Sequence, residues 1–164
     1  METELEIGTI ALQSGGRIGI CALPGLNRDL QADLDTIFDW NPALVLSMTE
    51  RHEMDACDSY GLGTALQDKG VDWIHLSVVD FGGLEGDNLK RWPSVSESIH
   101  RVLANGKGVM VHCRGGQGRS GMIALRILIE DGEAPDDALR RLRQVRPGAV
   151  ETSQQMNWAT HVGE

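Results

Sequence analysis

The sequence predicts an α/β fold in which helices flank a central, mostly parallel twisted sheet. Short apolar runs bounded by turn signals alternate along the chain with longer helical patterns, an order typical of parallel strands joined through helices. One helical segment, 119–130, is apolar nearly all round and should lie at the centre of the fold. The chain of 164 residues is long enough to bury a real core, and we expect a single domain over 1–164.

The first half of the chain begins with a weak alternation of apolar and polar residues around Ser14-Gly15-Gly16, which predicts a hairpin at the sheet edge. Apolar residues at helical spacing then indicate a helix that ends at Asn41-Pro42. The predicted elements are, in order, a hairpin within 4–23, a helix over 27–40, a strand over 43–48, a short turn or helix capped by Thr49, and a helix over 59–68.

The second half contains two more apolar runs that we interpret as strands, each followed by a loop. Pro135 stands where the first residue of a helix is expected, with two aspartates after it in the first turn. The predicted elements are a strand over 71–79, a loop over 80–87, a helix over 88–105, a strand over 107–113, a helix over 119–130, a helix from Pro135 that stops at Arg146, and a helix over 153–161.

Three of the predicted strand ends lead into polar or reactive residues. Cys113 ends one strand, Asp80 follows another, and polar residues follow Met48 at the end of a third. Ligands of such sheets bind at the carboxyl ends of the strands. We therefore expect these three segments to converge on one rim of the sheet.

A glycine-rich loop, residues 113–118 and here called the cradle loop, joins the strand 107–113 to the helix 119–130. Its backbone N–H groups and the amino end of the helix can surround an anion, and the Arg119 guanidinium can hold two phosphate oxygens. These neighbours favour the thiolate of Cys113, and Ser120 can donate a hydrogen bond to the sulfur and help it leave. The residues expected to bind the substrate are Arg114, Gly115, Gly116, Gln117, Gly118 and Arg119.

The run His112-Cys113-Arg-Gly-Gly-Gln-Gly-Arg119-Ser-Gly121 resembles the protein tyrosine phosphatase superfamily in its dual-specificity branch, and most closely the kinase-associated phosphatases. The resemblance implies a cysteine-phosphatase fold and a phosphorylated protein as the partner. It also implies hydrolysis of phosphotyrosine, phosphoserine or phosphothreonine through a phosphocysteine intermediate. Such hydrolysis needs a thiolate, a clamp for the phosphate oxygens, an acid and a positioned water, but no metal or other cofactor.

Asp80 is the predicted general acid. In kinase-associated phosphatases the aspartate that acts as general acid also follows a strand and precedes two glycines, whereas in this chain Phe81 intervenes before the glycines. That departure concerns the shape of the loop more than the identity of the acid. Glu85 and Asp87, in the same loop, are the competing candidates.

The resemblance also implies roles for Gln155 and His112. In this superfamily a glutamine after the last loop often positions the water of the second step, and Gln155 matches the kinase-associated pattern better than Gln154 does. Glu151 stands where a glutamine is also expected. His112 is expected to hydrogen-bond the cradle loop and stabilise the Cys113 thiolate.

Other functions can use the same kind of loop. A phosphoinositide phosphatase tends to carry lysines within it, and this loop has none. A sulfur transferase has no need for an acid such as Asp80, and an arsenate reductase needs a second redox cysteine close by. A phosphoprotein-binding module built on an inactive phosphatase would have lost one of Cys113, Asp80, Arg119 or Ser120, and all four are present.

The net charge of −9 argues against nucleic acid and anionic membranes as partners. The three cysteines have no metal-like or disulfide-like spacing, and the acidic segment from Met1 to Glu6 lacks the features of a signal peptide. A reducing compartment also suits a working thiolate. These observations predict a cytoplasmic protein.

Overall fold

A mostly parallel sheet forms the centre of the fold, which confirms the predicted α/β class. The computed structural model describes residues 4–57, 59 and 61–162. The strands in this part of the chain are β1 (Gly8–Ala11), β2 (Arg17–Cys21), β3 (Pro42–Ser47), β4 (Asp72–His75) and β5 (Gly108–His112). Their order across the sheet is β1-β2-β5-β3-β4, with β1 antiparallel to β2 and the other neighbours parallel. The predicted hairpin thus lies at one edge, and β5 lies in the middle.

Helices cover both faces of this sheet. Within the described residues they are α1 (Leu30–Trp40), α2 (Arg51–Ala56), α3 (Leu62–Asp68), α4 (Gly86–Ala104), α5 (Gly118–Glu130), α6 (Pro135–Val145) and α7 (Ser153–Thr160). Buried residues of α1 to α3 pack in one core cluster, and those of α4 to α7 pack in the other.

The central strand β5 contributes to both clusters because its side chains alternate between the two faces. Val109 and Val111 lie in the cluster with α4 to α7, while Met110 lies in the cluster with α1 to α3. The helix that follows, α5, is buried along most of its length, as its apolar composition predicted. The strand and the helix that hold the cradle loop are therefore both fixed by the core.

Several predicted boundaries were wrong by a few residues. Helix α1 begins at Leu30 and not at Asn27, because Asn27 has a φ of 57° and Asp29 caps the helix by accepting from Ala32 N. Thr49 does not cap α2; Glu50 does, in a reciprocal capping box with Glu53.

Helix α3 and strand β4 are also shorter than predicted. Helix α3 begins at Leu62, and Tyr60 of its predicted first turn lies outside the described residues. Strand β4 ends at His75, four residues before the predicted end, because its neighbour β3 ends at Ser47. Beyond that point two backbone hydrogen bonds still join this segment to the residues at the end of β3, from Leu76 N to Ser47 O and from Val78 N to Met48 O.

One carboxylate joins the helices on the face of α4 to α7. Glu130, near the end of α5, accepts four side-chain hydrogen bonds, from Trp92, Ser96, His100 and Arg126. Burial alone would raise the pKa of Glu130, but these bonds outweigh it and lower the pKa to about 2. Arg126 also donates to the Trp158 carbonyl of α7 at 2.7 Å. This contact fixes α7 against α5, the helix that follows the cradle loop.

Among the described residues, no helix has both the length and the apolar content needed to span a bilayer. Met1 to Thr3, which belong to the acidic amino-terminal segment, lie outside the described part of the chain.

Candidate active site

The cradle loop lies between the end of β5 and the start of α5. Cys113 is 3% exposed, and its Sγ is 3.2 Å from Oγ of buried Ser120. Gly116 has a φ of 72°, and a Cβ there would lie 2.6 Å from the Cys21 carbonyl carbon, so this position requires glycine. Gly115 has no positive φ, and a Cβ there would meet no atom within 4 Å, so this position does not require glycine.

Each backbone carbonyl from position 114 to position 117 accepts a hydrogen bond from a neighbouring segment. Leu23 N donates to Arg114 O, the Arg146 guanidinium donates to the carbonyls of residues 115 and 116, and Val150 N donates to Gln117 O. Among the described residues, the N–H groups of residues 114–117 have no hydrogen-bond partner, which leaves these donors for a ligand. This is the arrangement of a backbone nest that binds an anion.

Arg119 is buried in the first turn of α5, with 1% of its side chain exposed. Its Nη1 and Nη2 donate to the two carboxylate oxygens of Glu53 at 2.7 and 2.8 Å, and Nη1 also donates to Val78 O at 3.0 Å. Its Nε has no hydrogen-bond partner within the described part of the chain. The guanidinium is thus fixed in orientation, while two of its five N–H groups, on Nε and Nη2, remain for a ligand.

Glu53 is a site residue that sequence reasoning missed. Burial opposes the charged forms, but the mutual hydrogen bonds lower the pKa of Glu53 and raise the pKa of Arg119. The pair is therefore ionised at neutral pH. The sequence feature that could have pointed to Glu53 is the Glu50-x-x-Glu53 capping pattern just after β3, because the end of β3 lies at the rim where the other segments converge.

Asp80 lies at this rim, with its side chain 49% exposed. Its Oδ1 accepts from Phe81 N at 3.0 Å and is 3.4 Å from Arg119 Nη2. The competing acids lie farther along, at the start of α4: Glu85 is the residue before its first turn, and Asp87 is 4.0 Å from Lys90 Nζ. Of the three candidates, Asp80 is the one placed against Arg119.

A chain of buried hydrogen bonds determines the tautomer of His112. The Trp73 indole Nε1, which can only donate, donates to Ser47 Oγ at 2.8 Å. His112 Nδ1 is 3.2 Å from Cys113 O, a carbonyl that can only accept, so Nδ1 carries the imidazole proton, and the unprotonated Nε2 of the neutral ring accepts from Ser47 Oγ, 2.5 Å away. Burial lowers the pKa of His112 to about 4, so the ring is neutral at pH 7 and donates to the backbone carbonyl of Cys113.

Acidification should destabilise the fold through His112. Burial lowers its pKa to about 4, whereas an unfolded histidine has a pKa of about 6.5. Between these values the unfolded chain binds a proton that the folded protein excludes, so stability is complete above about pH 6.5 and falls as the pH is lowered. We expect a loss of about 3 kcal/mol by pH 4, measured from urea denaturation midpoints.

The matched comparison for this prediction uses His112→Gln and, as control, His52→Gln at an exposed position. Between pH 7 and pH 4.5 the stability of His112→Gln should fall less steeply than that of wild type, while His52→Gln should follow wild type. Equal slopes for all three proteins would contradict the assignment. Glu130 affects stability at lower pH: its pKa is about 2 in the folded protein and about 4.3 in the unfolded chain, so its contribution to stability is lost mainly below about pH 4.3.

Gln155 is buried in the first turn of α7, and both ends of its amide are engaged. Its Oε1 accepts from Glu151 N and Thr152 N, and its Nε2 donates to Gly82 O at 3.2 Å. A Cβ at Gly118 would lie 3.1 Å from the same amide and 2.2 Å from Glu151 Oε1, so both side chains cover the start of α5. Gln154 is exposed.

The other cysteines do not share the environment of Cys113. Cys21 lies in the core cluster on the opposite face of the sheet, and burial raises the pKa of its thiol to about 12. Cys57 ends α2. Among the described cysteines, Cys113 is the one that belongs to the cradle loop and has its Sγ next to Ser120. Together with Arg119 and Asp80, this arrangement can hold a tetrahedral anionic group, form a bond from it to sulfur and protonate the oxygen whose bond breaks.

Known proteins resemble this chain over the region that contains the site. A family model described as dual specificity phosphatase, catalytic domain, matches residues 43–162. The mouse protein cyclin-dependent kinase inhibitor 3 is 30% identical over 148 residues, which cover 86% of this chain and 69% of the mouse protein. Human protein tyrosine phosphatase type IVA 3 is 41% identical over 91 residues, covering 56% of this chain and 52% of the human protein.

Solved structures share the same architecture. Kinase associated phosphatase, crystallised with its catalytic-site cysteine replaced by serine, superposes with a TM-score of 0.84 at 25% identity, covering 97% of this chain and 94% of that one. Tk-PTP in its active form superposes with a TM-score of 0.70 at 26% identity, covering 96% of this chain and 95% of that one.

Proposed function

Because this chain belongs to the dual specificity phosphatase family and is a cysteine-dependent protein phosphatase, we propose that it hydrolyses phosphate monoesters through a phosphocysteine formed on Cys113. One observation carries the proposal. The Cys113 thiol lies in a loop whose backbone carbonyls at 114–117 are held from outside, next to an arginine fixed by Glu53. A site of this kind binds a phosphoryl group and presents a sulfur nucleophile to it.

In the first step the Cys113 thiolate attacks phosphorus and the bond to the substrate oxygen breaks. The loop N–H groups of residues 114–118 and the Arg119 guanidinium hold the phosphoryl oxygens as charge shifts onto them. Asp80, in its acid form, donates a proton to the leaving oxygen. The short distance from Asp80 to Arg119 supports this role, because it places the carboxyl group beside the bound phosphoryl group.

In the second step water attacks the phosphocysteine and the sulfur leaves. Ser120 Oγ, 3.2 Å from Cys113 Sγ, can donate a hydrogen bond to the departing thiolate. Asp80, now ionised, accepts the proton of the water. We assign Gln155 to position that water, because its amide covers the start of α5 and is tied to Gly82, two residues after Asp80.

Replacement of Gln155 by alanine should slow the second step more than the first. We expect kcat to fall about 10- to 100-fold, with a burst of para-nitrophenol from para-nitrophenyl phosphate as phosphocysteine accumulates. Rapid-quench kinetics measure the burst. Gln154→Ala, at the exposed neighbouring glutamine, is the matched control and should show no burst. If Gln155→Ala slows both steps equally, Gln155 supports the fold of the loop and does not position water.

The substrate class is a phosphorylated protein, as the family implies. A panel of phosphotyrosine and phosphothreonine peptides and a phosphoinositide, assayed with a chelator present, tests the proposal. We expect turnover of peptides without metal. Preference for the phosphoinositide would favour the lipid phosphatase alternative. Activity only toward thiosulfate or arsenate would favour a sulfur transferase or an arsenate reductase.

We place the protein in the reducing cytoplasm as a single domain over residues 1–164. All three cysteines are free in the structure, and Cys113 must stay reduced to act. A net charge of −9 supports a protein partner and disfavours nucleic acid and anionic membranes.

A further inference from the structure

The loop that carries Asp80 is tied to the start of α7 by a threonine that the mechanism above does not use. Thr152 Oγ1 donates to Phe81 O at 3.1 Å. The same oxygen accepts from Gln155 N at 3.2 Å, so Thr152 also caps α7. One hydroxyl group can do both, because it has one proton to donate and lone pairs to accept.

Phe81 needs such a tie because its backbone is strained. Val79 O accepts from Gly82 N at 2.8 Å, which closes a turn in which Phe81 is the third residue with a φ of 64°. A left-handed conformation at that position favours glycine and is an outlier for a bulky residue. The Phe81 side chain is 58% exposed, so packing of the ring contributes little to holding the turn.

This turn also orients the Asp80 carboxyl group. Phe81 N donates to Asp80 Oδ1 at 3.0 Å, and that oxygen is the one that lies 3.4 Å from Arg119 Nη2. A continuous path therefore runs from the Thr152 hydroxyl through the Phe81 peptide to the Asp80 carboxyl and Arg119. The bond from Gln155 Nε2 to Gly82 O is a second tie between α7 and the same turn.

We propose that Thr152 is a positioning residue for the general acid: its hydroxyl holds the strained turn at Phe81 so that the Asp80 carboxyl stays against Arg119. The inference rests on the proposed function of Asp80. Without the hydroxyl the turn relaxes to an unstrained conformation and the carboxyl group leaves the position from which it protonates the leaving oxygen.

Two variants separate the hydrogen bond to Phe81 O from the helix cap. Thr152→Asp keeps an oxygen that can cap α7 but has no proton to donate and adds a charge. Thr152→Val removes the cap as well and adds no charge. The defect common to both is the lost donor. Thr152→Ser keeps both functions, and Thr160→Val makes the same threonine-to-valine change at the other end of α7, where Thr160 Oγ1 donates to Met156 O within the helix.

The readout is the ratio of kcat/KM for phenyl phosphate to kcat/KM for para-nitrophenyl phosphate. Phenolate needs protonation more than nitrophenolate does, so loss of the acid lowers this ratio. We expect Thr152→Asp and Thr152→Val to lose about tenfold on phenyl phosphate and much less on para-nitrophenyl phosphate. Thr152→Ser and Thr160→Val should keep the wild-type ratio. In an Asp80→Asn background, neither Thr152 variant should lower the ratio further.

An equal loss on both substrates in both variants would overturn the proposal and leave Thr152 as a helix cap. So would a further drop of the ratio in the Asp80→Asn background, because Thr152 would then act independently of the acid. Failure of the proposed function looks different. In that case Asp80→Asn itself would leave the ratio unchanged, whatever the Thr152 variants do, and both assignments would fall.

Discussion

Cys113→Ser should abolish turnover while phosphate still binds. An uncharged hydroxyl is a far weaker nucleophile than a thiolate, so we expect kcat to fall by about 10⁴-fold or more, or at least about 5.5 kcal/mol in the activation free energy. Residues 114–118 of the cradle loop and Arg119 are unchanged by this substitution, so the variant should bind inorganic phosphate or vanadate with nearly wild-type affinity. Steady-state kinetics and isothermal titration calorimetry measure the two quantities.

Two further variants make this result specific. Cys57→Ser, at the partly exposed cysteine that ends α2, should keep its activity. Adding Arg119→Met to Cys113→Ser should remove anion binding, because the planar fork held by Glu53 is lost. Turnover by Cys113→Ser within tenfold of wild type would rule out the phosphocysteine mechanism.

Asp80→Asn should lose most activity on substrates whose leaving oxygen most needs a proton. Proton transfer of this kind contributes about 10²–10⁴-fold, so we expect losses in that range for alkyl phosphates such as phosphothreonine. The loss should be smaller for phosphotyrosine and smallest for para-nitrophenyl phosphate. Asparagine keeps an oxygen that can accept from Phe81 N, so the turn is preserved. The basic limb of the pH–rate profile should also flatten, since the titrating acid is gone.

Glu85→Gln and Asp87→Asn are the matched controls for this series. Both carboxylates lie at the start of α4, and neither is paired with Arg119. We expect each control to show wild-type dependence on the leaving group. A uniform loss for Asp80→Asn across all leaving groups, accompanied by a lower melting temperature, would mean that Asp80 has a structural role.

Local sequence predicted the cradle loop well because its parts are adjacent in the chain. The strand before it, the glycines within it and the apolar helix after it occupy one continuous stretch, and each follows from composition and spacing. The predicted position of Asp80 came from the same kind of pattern, a residue just after an apolar run. The resemblance to kinase-associated phosphatases that these residues carry was confirmed by the family match.

Boundaries were predicted less well where side chains and neighbouring strands decide them. Asp29 and Glu50 start their helices through capping bonds that several nearby polar residues could equally have made. Strand β4 stops at His75 because β3 stops beside it, although the apolar run continues to Val79. A strand ends where its partner ends, and the partner is not visible in the strand's own sequence.

The sequence by itself determined the fold class and the strand, glycine-rich loop and helix that form the cradle, and it predicted which residues act on phosphate, since these depend on short-range spacing and residue chemistry. Only the tertiary structure decided how those residues are held. Glu53 is 66 positions from the Arg119 it orients, Ser47 is 65 from His112, and Thr152 is 71 from Phe81. Each contact is a directional hydrogen bond between segments that meet only when the sheet assembles. No local pattern specifies such partners, because their distance and angle are set by the packing of the helices and strands that carry them.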